Sequence, residues 1–99
     1  MFRRYYDLPS LSALTVFEAS ARHRSFKLAA SELKVTPREI GRQIKGIEDE
    51  LGAPLFVRLG SGIKLTGAGE DLYSVLASLL SRASEVVRTI KYGESHMCL

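Results

Sequence analysis

Arg38, Arg42 and Lys45 stand four and three residues apart in the stretch Pro37 to Leu51, so on an α-helix they share one side. A guanidinium held there can donate two parallel hydrogen bonds to the O6 and N7 acceptors of a guanine, and an ammonium can rest against a phosphate as a point charge. Arg42, central among the three, is the strongest candidate for reading a base. Lys45 is better placed for phosphate, as is Lys27 earlier in the chain. Arg58 and Lys64 form a second basic group that could reach the backbone or the minor groove of a duplex. Other chemistry is sparse. His23 and His96 have no acidic or nucleophilic neighbour at a recognisable spacing, and no glycine loop suits a phosphate cradle. No catalytic, cofactor or metal site is expected, and the chain is not read as an enzyme. Charge on a helix face is commonly only solvation, so the reading depends on the elements that carry the cations.

Those elements announce themselves at Thr36-Pro37-Arg38-Glu39. Thr36 can cap free backbone N–H groups, Pro37 fits the first helical position, and Glu39 is spaced to complete a capping box. At about 100° per residue, Ile40, Ile44, Ile47 and Leu51 form a core stripe opposite Arg38, Arg42 and Lys45, with Gly41 and Gln43 flanking. The C-terminal half turns acidic at Glu48, Asp49 and Glu50, and Gly52 and Pro54 end the helix. Upstream, Ser25 caps a short helix, Phe26 to Leu33, whose apolar face is Phe26, Ala29, Ala30 and Leu33. Before the turn His23-Arg24-Ser25, Ser10 caps a first helix of about Leu11 to Arg22 with the buried stripe Leu11, Leu14, Phe17 and Ala21. Two helices joined by a turn as short as Lys34-Val35, the second basic on its outer face, form the architecture of a helix-turn-helix DNA reader.

Beyond Leu55 the pattern shortens to two strand-like segments, Leu55-Phe56-Val57-Arg58 and Ile63-Lys64-Leu65, around Leu59-Gly60-Ser61-Gly62. This predicts a β-hairpin wing. Thr66 then caps a long helix, about Gly67 to Lys91, in which Leu72, Leu76, Leu79, Ala83, Val86 and Ile90 alternate steps of four and three. Tyr73, Leu80 and Val87 widen that seam on one flank. Such a helix extends about 37 Å, more than a three-helix core this small can cover. Pairing with the same helix of a second copy through Leu72, Leu76, Leu79, Leu80, Ala83, Val86, Val87 and Ile90 is the expectation. The fold class is thus mainly α, a winged helix-turn-helix followed by a linker helix. Its divisions are an arm (1–9), the winged unit (10–66), the dimerisation helix (67–91) and a tail (92–99).

Composition permits this reading without demanding it. The chain has 99 residues and a formal net charge of +3, with cations and anions interspersed. A 45% hydrophobic content supports one small core. The single cysteine, Cys98, excludes an intramolecular disulfide and cannot make a zinc site alone. Met1-Phe2-Arg3-Arg4 leads into no apolar run, and no stretch approaches a membrane span. A cytoplasmic location is expected.

Taken together, the motifs Phe17-Glu18-Ala19, Ser25-Phe26, Ala29-Ala30, Glu32-Leu33, Val35-Thr36, Arg42-Gln43-Ile44, Leu51-Gly52, Leu55-Phe56, Arg58, Leu65-Thr66 and Gly69-Glu70 resemble the N-terminal DNA-binding domain of LysR-type transcriptional regulators. Leu8-Pro9 and the string Phe17 to Phe26 are most similar to the branch containing regulators of glycine cleavage and β-lactamase expression. The resemblance implies a dimer on double-stranded DNA bearing a partly palindromic operator. It assigns DNA contact to Thr36 and Arg42. Pro37 stands where the family commonly carries Gln and Gly41 where it commonly carries Ser, so two side-chain donors are lost at contact positions; Arg38 adds one back. Ser61 and Gly62 replace the usual arginine of the wing tip. RNA polymerase or a full-length regulator are further implied partners, whereas no membrane contact and no small-molecule effector site are expected of this chain. Family members continue into an effector domain, and the tail Tyr92 to Leu99 cannot replace it. A second reading follows from that difference: a short interaction protein that pairs through its linker helix with a full-length regulator.

Overall fold

The computed structural model describes residues 6–93; most of the expected arm and tail lies outside them. The order is α1 (Leu11–His23), α2 (Phe26–Leu33), α3 (Pro37–Leu51), β1 (Phe56–Leu59), β2 (Gly62–Leu65) and α4 (Gly67–Tyr92). Each helix begins where a side-chain hydroxyl accepts an otherwise unpaired N–H. Ser10 takes that of Ala13 (3.1 Å), Ser25 that of Leu28 (3.0 Å), Thr36 that of Glu39 (3.1 Å) and Thr66 that of Gly69 (3.0 Å). α1 runs one residue past its expected end, through His23, because Arg24 adopts the left-handed conformation (φ 56°) and donates its N–H to the Ser20 carbonyl.

α1, α2 and α3 enclose a core of Leu14, Phe17, Ala29, Ala30, Ile40, Ile44 and Ile47. The wing closes it. β1 and β2 are antiparallel in the register Phe56↔Leu65, Val57↔Lys64, Arg58↔Ile63 and Leu59↔Gly62. Phe56 turns inward, 5.5 Å from the ring of Phe17 and edge-on to Phe26 at 5.6 Å. Two residues of the expected core stripes are not in the core. Leu11 is 68% exposed and Leu51 46%; each is the terminal residue of its helix, Leu11 the first of α1 and Leu51 the last of α3. Val16, Ala19 and Ser20 are buried in α1 instead, and the Ser20 hydroxyl is satisfied by the Val16 carbonyl at 2.8 Å.

Two connections fix the wing. The Glu48 carboxylate accepts the N–H groups of Leu55 (2.8 Å) and Phe56 (3.2 Å), so an acidic residue of α3 anchors the start of β1. The Thr66 hydroxyl donates to the Pro54 carbonyl (2.7 Å) while capping α4, which presses α4 onto the same segment.

Candidate nucleic-acid interface

α2 and α3 are joined through Lys34, which is left-handed (φ 61°) and lets the chain reverse within the span of Val35 and Thr36. The Val35 N–H returns to the Ala30 carbonyl at 3.0 Å. Thr36 caps α3 and Pro37 occupies its first turn, as expected. The capping box does not form in full. The Glu39 carboxylate binds forward along the helix instead, accepting from Arg42 Nε (3.0 Å), Arg42 Nη2 (2.6 Å) and Gln43 Nε2 (2.9 Å). Its spacing to both donors, i+3 and i+4, is one that local sequence can reveal. Arg42 holds the Glu39 carboxyl below the usual carboxylate range, and Glu39 in turn raises the affinity of Arg42 for its proton.

The cations on the outer face of α3 are therefore unequal. Arg38 is exposed and has no ion pair among the described residues. Arg42 is exposed but paired with Glu39, and Lys45 Nζ lies 3.2 Å from Asp49. Lys27 is exposed on α2, and Pro37 and Thr36 are exposed at the helix start. The Arg58 guanidinium lies over the Phe26 ring, 4.9 Å from its centroid. Its Nη2 would stand only 3.8 Å from a Cβ built on Gly41. Arg58 thus joins the wing to the α2–α3 face. Lys64 does not join it: the register puts Lys64 and Val57 on the opposite face of the hairpin.

The long helix divides the expected dimerisation set. Leu76 is buried, and Leu72 and Leu80 are half-buried against the core. Leu79, Ala83, Val86, Val87 and Ile90 remain exposed, joined by Val75, which the seam had not included. The split arises because the first turns of α4 spend one flank of the stripe on α1 and β2. His23 likewise departs from expectation. Its Nε2 is 2.6 Å from Glu32 Oε1, a partner nine residues away that meets it only once α1 and α2 pack. Among the described residues no cluster of three or more His, Cys, Asp or Glu could hold a metal ion.

Residues 11–70 match the family model described as bacterial regulatory helix-turn-helix protein, lysR family. The chain belongs to this family. Among its relatives is the HTH-type transcriptional regulator TrpI of Pseudomonas aeruginosa, 44% identical over 86% of this chain but 29% of that protein. The glycine cleavage system transcriptional activator of Escherichia coli is 42% identical over 85% of this chain and 28% of its own length. The chain thus spans under a third of the curated relatives it matches. Among solved structures, the BenM DBD/benA site 1 DNA complex has a TM-score of 0.75 and 32% identity over 88% of this chain and 98% of that one. The CbnR DBD–DNA complex gives a TM-score of 0.71 at 28% identity over 86% and 98%. These relatives bear out the LysR resemblance, the winged helix-turn-helix and the similarity to a glycine-cleavage regulator.

Proposed function

We propose that this chain binds double-stranded DNA with α3 in the major groove and the wing beside it, as the DNA-binding part of a dimeric transcriptional regulator. The observation that carries the reading is the shared surface of α3 and Arg58. The start of α3 exposes Arg38 and Arg42, and Arg58 is braced on Phe26 beside Gly41. That its fold-mates BenM and CbnR were solved with DNA supports placing a duplex there. Arg42 reads a guanine; Thr36, Lys27, Lys45 and Arg58 bind phosphates; Arg38 supplements them where Pro37 and Gly41 lack donors. Lys64, on the far face of the hairpin, contributes only to the general field. The exposed pair of Lys45 and Asp49 opens at little cost to let Lys45 reach a phosphate.

Duplex binding measured across salt concentration tests the reading. Arg42→Ala should lower affinity for a selected site roughly 10-fold or more and relax preference at one base position. Lys45→Ala should weaken every duplex alike and reduce the salt slope by about one contact. Uniform losses in both variants would overturn the division of roles, and no binding at low salt would overturn the function.

A further inference from the structure

Glu39 is the sole carboxylate between Thr36 and Lys45, on a surface that would otherwise attract phosphate. It engages Arg42 along one edge of the guanidinium: Nε donates to Oε1 at 3.0 Å and Nη2 to Oε2 at 2.6 Å. Half-buried Gln43 braces the same carboxylate from the next turn at 2.9 Å. An arginine has five N–H donors in a rigid fork, so this arrangement leaves one hydrogen of Nη1 and one of Nη2 free along the adjoining end-on edge. That edge has the spacing of guanine O6 and N7. The neighbouring contact positions, Pro37 and Gly41, offer no side-chain donor, and of the two arginines at the start of α3, Arg38 and Arg42, only Arg42 is held by a carboxylate among the described residues.

We infer that Glu39 is a specificity-determining positioning residue: it fixes the Nε/Nη2 edge of Arg42, presents the Nη1/Nη2 edge to guanine, and withholds that cation from phosphates. The inference rests on the proposal that α3 enters the groove. Its energetic logic is that of a repulsive element. A carboxylate beside the backbone penalises every duplex, and a correctly placed guanine restores affinity by accepting from the oriented fork.

The test uses the 99-residue chain, the best duplex selected from a randomised pool by the unaltered protein, and a scrambled duplex of equal length. Glu39→Gln keeps the side-chain length and should leave thermal melting near that of the parent. It should raise affinity for the scrambled duplex, steepen its log–log salt slope by about 0.9 and cut the preference for the selected duplex roughly 10-fold. In an Arg42→Ala background the same change should have little further effect on preference. If Arg42→Ala abolishes preference but Glu39→Gln leaves it intact, the role of Glu39 is overturned alone. If Arg42→Ala keeps the preference, the reading of α3 falls and this inference with it.

Discussion

Gly69 and Gly46 both lie inside helices, yet their surroundings give them opposite roles. A Cβ on Gly69 would stand 2.2 Å from the Leu55 carbonyl oxygen and 2.9 Å from Leu65 Cδ2. The oxygen cannot yield easily, because it accepts the Thr66 N–H at 3.0 Å in the junction that seats α4 on the wing. Gly69→Ala should therefore cost about 1–3 kcal/mol despite alanine's better helix propensity, since the helix start must move. Nothing lies within 4 Å of a Cβ on Gly46, so Gly46→Ala should stabilise by roughly 0.5–1 kcal/mol. Denaturant unfolding of the two variants checks both signs. Sequence alone offers the glycines without the distinction. Gly69 could be picked out by its place in a family motif, but the carbonyl it accommodates is fourteen residues away and visible only after folding.

Between elements, Glu32 ties α2 to the end of α1. Its carboxylate accepts from Arg22 Nη1 (3.0 Å) and Nη2 (2.9 Å) and meets His23 Nε2 at 2.6 Å. Arg22 first, then His23, holds the Glu32 pKa down to about 2 from an ordinary 4.5. A carboxylate that binds protons less readily when folded stabilises the fold above its ordinary pKa, and that contribution fades as pH falls from about 4.5 through about 2. Glu32→Gln should thus lower the melting temperature at pH 7, modestly because the pair is solvated and screened. The difference from the parent should shrink between pH 4.5 and 2. A difference that persists at pH 2 would mean that packing, rather than charge, is responsible. The contrast with the helix caps explains what was legible at this scale. Ser10, Ser25, Thr36 and Thr66 act on N–H groups three residues ahead, so their roles can be read from local order. Glu32 with His23, Glu48 with the Leu55 N–H, and Arg58 over Phe26 join segments whose juxtaposition is a product of packing. The basic side of α3 was legible because it repeats with the helix; its neutralising partner Glu39 was equally local, but its spacing from Thr36 suits a capping box as well as its spacing to Arg42 suits an ion pair, and only the folded helix shows which it forms.

At the scale of the whole molecule, α4 has more apolar surface than its own domain can cover. It is 26 residues long, about 39 Å. Leu76 is 5% exposed, yet Val75, Leu79, Val86 and Ile90 are 58–67% exposed along the adjoining flank. This separation permits a clean experiment on the proposed dimer. Leu79→Asp should place a charge on the pairing flank and leave the intrachain core intact, whereas Leu76→Asp should bury a charge and destabilise the domain itself. By sedimentation, the unaltered chain should run at twice its monomer mass and Leu79→Asp at once, with its helical circular-dichroism signal retained. Pairing also has a consequence for DNA. A two-fold dimer presents its α3 helices to half-sites related by the same symmetry and spaced by about 34 Å or a multiple of it. Leu79→Asp should accordingly lose the steep dependence on the second half-site and bind single and paired half-sites with similar affinity. If the unaltered chain is monomeric and already indifferent to the second half-site, the exposed flank of α4 does not join two copies, and recognition must be carried by one α3 and its wing.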